Sequence, residues 1–195
     1  MTPERPEAIR LILRIVDLLV SLDIRYHLGG SYASSVHGIP RQTQDIDLVV
    51  DLRAEQIDDL IASVTPEFYA DAGAALAAIR DRSEFNLVHL ETGIKVDLFV
   101  LGTGAFDQSE FGRRRLHVID PDTGRTIFVK SAEDTILRKL SWYREGGEVS
   151  DRQWTDVAGI VEAQRGSLDR AYLDSWADAL GVRDLLDRLD PGPVV

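Results

Sequence analysis

Apolar and polar positions follow two different periods along the chain, and the changes between them predict helices and strands. Apolar residues at positions 9, 12, 13, 16, 19 and 20 recur at helical spacing, so residues 1–24 are predicted to form a helix with this stripe buried. Short runs in which every second residue is apolar predict strands at 26–28, 45–50, 84–90, 94–101, 116–120 and 125–129. A short helix is predicted to start at Ser31. Further helices are predicted at 54–64, 70–82, 131–143, 151–164, 169–180 and 182–189.

This order of elements predicts an α+β fold. A mixed sheet of about five or six strands, flanked by helices and carrying its site at one edge, is followed by a C-terminal helical region. Residues 1–130 are expected to form the α/β core, and residues 131–195 are expected to form a helical region packed on it. Ser131 and Asp134 have the spacing of a capping box, which places the start of the helical region.

Composition limits the classes of protein to consider. The 195 residues contain no cysteine, which excludes disulfides and cysteine-ligated zinc. The longest apolar segment, residues 9–20, is interrupted by Arg10, Arg14 and Asp17, so it is expected to be an amphipathic helix and not a membrane span or a signal peptide. A cytoplasmic protein without a membrane partner is therefore expected. The net charge of −11 argues against broad, non-specific affinity for nucleic acid.

Three aspartates stand out because they interrupt apolar strands. Asp45 and Asp47 lie two residues apart, so both carboxylates point to one side of their strand. Adjacent carboxylates repel one another unless a cation lies between them, and Mg²⁺ or Mn²⁺ suits such oxygen ligands. Asp97 lies in another apolar strand, on the same face as Lys95. It needs a partner, which is either Lys95 or an arginine, or the same metal, and the pair at 45 and 47 favours the metal.

Three further sites have alternative interpretations. Gly30 and Ser31 follow the first strand. A glycine there lets the backbone approach a phosphate, and the N–H groups at the start of the next helix would point at that phosphate. Alternatively, Ser31 only caps a tight turn between the strand and the helix. Arg41 in the following loop contacts phosphate or the carboxylate pair, or it is an ordinary solvated arginine. The run 113–115, three arginines, is a solvated surface or faces a phosphate-bearing acceptor.

These motifs together resemble the nucleotidyltransferase superfamily, which shares the fold of DNA polymerase beta. The shared pattern is Gly30-Ser31, the pair in Asp45-Ile46-Asp47, and a third carboxylate, Asp97, on a later strand. The wider pattern GGS-x-A-S-S, then R-x-T-x-D-I-D-L-V-V, is similar to the AbiEii/AbiGii-like toxin nucleotidyltransferases of bacteria. The gap between Ser31 and Asp45 is longer than in the polymerase-type pattern but suits this toxin-like group.

The resemblance implies a metal-dependent enzyme that moves NMP from an NTP to an acceptor hydroxyl, with Mg²⁺ or Mn²⁺ as cofactor. The acceptor would be a protein or the 3′ end of an RNA such as tRNA, and a cognate antitoxin is the partner that the resemblance implies. In the toxin-like family a C-terminal helix carries a lysine that faces the triphosphate, and Lys139 matches it; alternatively it is an ordinary helix lysine. The implied catalytic and metal ligands are Asp45, Asp47 and Asp97, and the implied nucleotide-binding residues are Gly30, Ser31, Arg41 and Lys139.

Two other functions remain open. One is an antibiotic-modifying nucleotidyltransferase of the aminoglycoside or lincosamide type, and the other is a non-enzymatic partner domain with a degenerate site. The presence of all three carboxylates together with Gly30-Ser31 argues against degeneration. The surface near Asp97 distinguishes the two enzymes, because a basic surface favours RNA and an acidic one favours a cationic antibiotic.

Overall fold

A computed structural model describes residues 7–41, 43 and 45–189 of the chain. They divide into two compact units. The described residues up to Gly30, together with Thr43–Val129, form unit 1. The described residues of 31–42, together with those from Lys130 onward, form unit 2. The described residues of 31–42 thus group with the helical part of the chain. The division predicted between residues 130 and 131 stays a prediction.

The helices and strands follow the predicted order closely. They are α1 (Glu7–Ser21), β1 (Arg25–Leu28), α2 (Gly30–His37), β2 (Asp45–Asp51), a 3₁₀ turn (Ala54–Gln56), α3 (Ile57–Val64), β3 (Phe68–Tyr69), α4 (Ala72–Asp81), β4 (Glu84–His89), β5 (Lys95–Val100), α5 (Ala105–Gly112), β6 (Arg115–Asp120), β7 (Arg125–Val129), α6 (Ala132–Glu145), α7 (Asp151–Ala163), α8 (Arg170–Ala179) and α9 (Arg183–Leu189). Residues 1–6 of the predicted first helix lie outside the described residues. No helix in the described part of the chain combines the length and the apolar character needed to cross a membrane.

Unit 1 contains a mixed seven-stranded sheet in the order β3-β4-β5-β2-β1-β7-β6. Strand β2 pairs in parallel with β5 and antiparallel with β1, and β4 pairs antiparallel with β5. The α+β class and the mixed sheet are therefore confirmed. The seventh strand is β3, which has only two residues and was not predicted. The aspartates lie on β2 and β5, which are interior strands of this sheet.

The two faces of the sheet differ in polarity along β2 and β5. Ile46, Leu48, Val96 and Leu98 alternate with the aspartates and are fully buried. Helices α1, α3 and α4 contact one another and the strands β1, β4 and β5, so they cover this apolar face. The other face is left to the polar residues of the same strands.

The buried face of α1 differs at its end from the predicted stripe. Ile12, Ile15 and Leu19 are buried at 0–1% exposure, whereas Val20 is 63% exposed. Successive helical residues are rotated by about 100°. Val20 therefore points away from the face that contains Leu19.

Unit 2 consists of the helices α6 to α9 and the segment 31–41. Its start is fixed by Ser131, whose hydroxyl accepts a hydrogen bond of 3.1 Å from the Asp134 N–H, as the capping spacing predicts. The segment 31–41 is held to the helices by His37. The His37 ring lies 2.6 Å from the Lys130 carbonyl oxygen, and the Gln164 side-chain amide donates to the His37 carbonyl at 2.9 Å. These contacts explain why the segment belongs to the helical unit.

Candidate active site

The register between β2 and β5 brings the predicted carboxylates together in unit 1. Asp47 lies directly opposite Asp97, and Asp45 lies opposite Lys95. Because residues two apart share a face, all four side chains belong to one side of the sheet. Neighbouring strands are only about 4.8 Å apart, so the Asp47 and Asp97 carboxylates are close neighbours.

Asp97 has a cationic partner in this structure. The Lys95 ammonium lies 2.7 Å from its Oδ1 atom, and the Asp97 side chain is 12% exposed whereas that of Lys95 is 42% exposed. This hydrogen bond, partly offset by desolvation, raises the pKa of Lys95 above its usual value, and the charges of Asp97, Glu84 and Asp45 add to it. Of the two kinds of partner expected for Asp97, the ion pair with Lys95 is therefore present.

The same face continues onto β4, where it is again polar. Asn86 lies opposite Asp97 and Val88 lies opposite Lys95, while Glu84 is exposed two residues before Asn86. Around Asp97 the face therefore carries the carboxylates of Asp45, Asp47, Asp97 and Glu84. Lys95 is the one cation among these described positions, so the local charge is negative.

Gly30 is placed against Asp47. Its φ is +52°, and a Cβ atom at this position would lie 1.7 Å from Asp47 Oδ2. The preceding Gly29 N–H donates to the Asp47 carbonyl at 2.8 Å. Only glycine satisfies both the backbone conformation and the close approach, so the turn after β1 is fitted to the carboxylate of β2.

The donor set of this face has the chemistry of a divalent-metal site. Carboxylate oxygens are hard ligands of the kind that Mg²⁺ and Mn²⁺ prefer. Within residues 7–41, 43 and 45–189, however, no three histidine or carboxylate side chains are already grouped closely enough to hold an ion. Lys95 occupies one oxygen of Asp97, and Asp45 is exposed at the start of β2. The residues fit a metal chemically, and binding would require Lys95 to release Asp97 and the exposed Asp45 side chain to approach it.

The other predicted residues, Ser31, Arg41 and Lys139, lie in unit 2. Together with Arg152 and Asp156 they form a basic cluster. Arg41 donates through Nε to Asp156 Oδ1 at 2.9 Å, and the Lys139 ammonium donates to Asp156 Oδ2, also at 2.9 Å. Ser31 Oγ accepts from the guanidinium groups of Arg41 and Arg152. Two cations, Arg41 and Lys139, thus pair with the Asp156 carboxylate, and a third, Arg152, is joined to them through Ser31.

Burial makes the charges of this basic cluster unusual. The side chains of Lys139 and Asp156 are each 7% exposed. Burial lowers the pKa of Lys139, and the ion pair with Asp156 only partly reverses this. For Asp156, burial acts to raise the pKa, but the hydrogen bonds from Arg41 and Lys139 together outweigh it and hold the pKa below its usual value. Each of the two groups therefore favours the charged form of the other.

These contacts decide several alternatives left by the sequence. Ser31 is the second residue of α2 and does not cap it, because the helix begins at Gly30. Arg41 is not a solvated loop arginine, since it pairs with Asp156. Lys139 is a buried helix lysine that pairs with the same carboxylate. In the arginine run, the Arg114 guanidinium stacks over the Phe111 and Phe128 rings in unit 1, at 4.4 and 5.0 Å. That arginine has a structural role.

Asp156 and Arg152 were not predicted from the sequence. Each lies on α7, which has the pattern of an ordinary amphipathic helix. Asp156 is 115 residues from Arg41 along the chain, and only folding brings the two together. The one available sign was an aspartate on the same helix as the buried Val157 and Ile160, where an ionised group needs a partner.

We expect Gly30→Ala to destabilise the protein by about 2–4 kcal/mol, since it adds both backbone strain and a clash with Asp47. Gly124→Ala is the matched control. Gly124 has a φ of +68°, but a Cβ atom added there would have nothing within 4 Å, so only the strain of about 1 kcal/mol applies. Urea unfolding of both variants measures the difference, and equal losses would contradict the fitted turn.

We expect Asp156→Asn to lower the pKa of Lys139, because burial remains while the ion pair that raises it is lost. Titration of the Lys139 side-chain NMR signals measures this directly. The variant should also lose about 3 kcal/mol of stability near neutral pH. Asp81→Asn, which removes one partner of an exposed pair with Arg80, is the control and should leave stability nearly unchanged.

The pH dependence of this stability difference has a definite sign. The pKa of Asp156 is lower in the folded protein than its ordinary value of 3.8. The stability it contributes is therefore complete above pH 3.8 and is lost as the pH falls through the folded-state pKa. The gap between wild type and Asp156→Asn should narrow in that window, and a gap that widened on acidification would contradict the assignment.

Comparisons with known proteins agree on the fold. No protein-family model matches the chain, and no curated protein matches it. Among solved structures, the antibiotic-resistance factor ANT(2'')-Ia is similar with a TM-score of 0.59 at 13% identity, covering 93% of this chain and 95% of its own. Its structure in complex with adenylyl-2''-tobramycin is similar with a TM-score of 0.52 at 16% identity, covering 92% and 99%. An antigenic nucleotidyltransferase-like protein from Paracoccidioides brasiliensis has a TM-score of 0.54 at 17% identity, covering 94% and 91%. The chain therefore has the nucleotidyltransferase fold.

Proposed function

We propose that the protein is a metal-dependent nucleotidyltransferase that moves NMP from an NTP to an acceptor hydroxyl. The observation that carries the proposal is the register of β2 and β5, which sets Asp47 beside Asp97 with Asp45 on the same face. Within the nucleotidyltransferase fold, such a face is suited to hold the metal that a triphosphate requires. The glycine turn against Asp47 supports the same assignment.

In this proposal the three aspartates are metal ligands, and Asp97 also accepts a proton. Asp45 and Asp47 would hold the metal, and Asp97 would complete its ligands on the side of the acceptor. When bound, Mg²⁺ or Mn²⁺ supplies the positive charge that offsets the triphosphate and the leaving pyrophosphate. The acceptor oxygen forms a bond to the α-phosphorus while the bond from that phosphorus to the bridging oxygen of the β-phosphate breaks. Asp97 accepts the proton of the acceptor hydroxyl, and pyrophosphate leaves.

The nucleotide-binding roles belong to the Gly30 turn and the basic cluster. The Gly30 backbone and the Ser31 hydroxyl would contact the β- and γ-phosphates, and Arg41 and Lys139 would balance their charge. The cluster has a formal excess of positive charge, because Arg41 and Lys139 pair with Asp156 while Arg152 donates to Ser31. Residues that position and neutralise a triphosphate contribute to transfer without any covalent step of their own.

For the acceptor, we propose a toxin-like activity on the 3′ end of an RNA, such as tRNA, or on a protein, with a cognate antitoxin as partner. The support is the sequence pattern from Gly29 to Val50, which is similar to the AbiEii/AbiGii-like group. The chemistry of the carboxylate face serves either acceptor, because both present a hydroxyl. The non-enzymatic alternative is disfavoured, since a degenerate site has no reason to keep Gly30 against Asp47.

A specific observation favours a second candidate, an antibiotic of the aminoglycoside or lincosamide type as acceptor. The face around Asp97 carries the carboxylates of Asp45, Asp47 and Glu84 with Lys95 as counter-charge. An acidic surface attracts a cationic small molecule and repels an RNA backbone. The solved complex of ANT(2'')-Ia holds an adenylylated tobramycin.

The two acceptors are distinguished by incubating the protein with each α-³²P-labelled NTP and Mg²⁺. Total RNA, total protein and a panel of aminoglycosides and lincosamides are supplied separately. We expect label in one acceptor pool with the wild type and a loss of at least about a thousandfold with Asp97→Asn. Asp51→Asn is the control, because Asp51 lies on the same strand as Asp47 but pairs with Arg25.

Label in RNA or protein supports the toxin-like activity, and label in an antibiotic supports the second candidate. No transfer to any pool, or transfer that persists in Asp97→Asn, would contradict the enzyme. Equal losses in the Asp97 and Asp51 variants would show that charge on these strands matters in general and that Asp97 has no special role.

Lys139 gives a test of the phosphate role. Lys139→Ala should weaken NTP binding and slow transfer by about ten- to a hundredfold, which corresponds to about 1.5–3 kcal/mol. Lys139→Arg should restore the rate only in part, since a guanidinium is a broad fork and an ammonium a compact charge. Steady-state kinetics decide the matter, with thermal melting to confirm that both variants fold. Unaltered rates in both would remove Lys139 from the site.

A further inference from the structure

The cation within the carboxylate face has a defined place. Lys95 lies opposite Asp45 and two residues before Asp97, on the same side of β5. Its ammonium is 2.7 Å from Asp97 Oδ1. A charge-assisted bond of this kind occupies an oxygen that a metal ligand must offer.

We propose that Lys95 is a built-in counter-cation that holds Asp97 in the metal-free protein and competes with the divalent ion for it. Lys95 thereby sets the metal affinity of the site. The inference rests on the proposed function, because it assumes that Asp97 is a metal ligand. It concerns a positioning residue, since Lys95 acts through Asp97 and contacts no reacting atom.

The exposures of the two side chains show which partner can move. The Asp97 side chain is 12% exposed and is fixed in an interior strand, whereas that of Lys95 is 42% exposed. Lysine has a flexible four-carbon stem, so Lys95 can swing into solvent while the Asp97 carboxylate stays in place. Release of Lys95 is therefore the change that frees Asp97 for a metal.

The charged and polar neighbours described for this face do not pair with Asp97 in place of Lys95. Arg25 pairs with Asp51 at the far end of β2, four residues beyond Asp47. The β4 residues beside Lys95 and Asp97 are Val88 and Asn86, which carry no charge. Among the described positions around Asp97, the counter-charge thus depends on Lys95.

Loss of Lys95 should change two properties in opposite directions. Without metal, Asp97 would lose its ion pair and would still lie beside the carboxylates of Asp45 and Asp47, so the protein would be less stable. With metal, no ion pair would have to be broken and no ammonium would repel the ion, so binding would be tighter. A lysine with a merely structural role would lower stability and leave metal affinity unchanged or weaker.

The test compares Lys95→Met, Lys95→Arg and the control Arg80→Met in the full chain. Arg80→Met removes the same unit of charge from an exposed pair on α4. Calorimetric titration with Mg²⁺ and with Mn²⁺ gives affinity, and thermal melting in EDTA gives metal-free stability. We expect Lys95→Met to bind both ions on the order of tenfold more tightly and to melt lower in EDTA. Lys95→Arg and Arg80→Met should bind the ions like the wild type.

The wild type provides a second measurement that needs no variant. The chain has three lysines, so ¹³C-labelled lysine side chains give three resolvable signals. Addition of Mg²⁺ should shift the Lys95 signals, because its ammonium leaves Asp97. The signals of Lys130, which lies over the Trp142 ring in unit 2, should stay in place.

The outcomes separate this inference from the proposed function. Tighter binding in Lys95→Met together with a shifted Lys95 signal supports the counter-cation. Wild-type binding of Mg²⁺ with equal or weaker binding in Lys95→Met, or with an unmoved Lys95 signal, overturns it and leaves the enzyme proposal intact. Absence of Mg²⁺ and Mn²⁺ binding in the wild type overturns both.

Discussion

The parallel pairing of β2 with β5 is the constraint on which the site depends. It sets Asp47 opposite Asp97, and strands are about 4.8 Å apart. Two carboxylates at about 5 Å repel by on the order of 3 kcal/mol at an effective dielectric constant of about 20. That is a large part of the roughly 5–15 kcal/mol by which domains are typically stable. A nearby cation offsets this repulsion, and Lys95 supplies one for Asp97 in this structure.

The glycine turn and the basic cluster follow from the same electrostatics. Gly30 leaves room for the Asp47 carboxylate, and a side chain there would collide with it. In unit 2 the signs of the charges are reversed, because a single carboxylate, Asp156, accepts hydrogen bonds from the cations Lys139 and Arg41. The carboxylate face carries an excess of negative charge and contains one residue of opposite charge, Lys95, which pairs with Asp97. The basic cluster carries an excess of positive charge and contains one residue of opposite charge, Asp156, which pairs with Arg41 and Lys139.

Local patterns predicted most of this architecture. The alternation Ile46, Leu48, Val50 placed Asp45 and Asp47 on one face, and the capping residue Ser131 placed the start of α6. The two-residue strand β3 was missed because two residues carry no period. The prediction for Val20 was wrong because the width of a buried helix face depends on what packs against it.

Long-range contacts account for what the sequence could not provide. Asp156 gains its importance only through Arg41 and Lys139, neither of which is its neighbour along the chain. The Lys95–Asp97 pair was foreseen as one of two alternatives, because both residues lie on one face of β5. The strand pattern alone does not distinguish an ion pair with Lys95 from a metal ligand. The distinction depends on where the side chains of the paired strands β2 and β5 lie.

Binding of a nucleoside triphosphate to the carboxylate face through a divalent metal is the property on which the proposed enzyme depends. Calorimetric titration of the wild type with ATP, GTP, CTP and UTP, each with and without Mg²⁺, tests it most directly. We predict that at least one NTP binds with Mg²⁺ and not in EDTA, and that Asp47→Asn abolishes this binding. Absence of metal-dependent binding for all four nucleotides, or binding that is unchanged in Asp47→Asn, would contradict it.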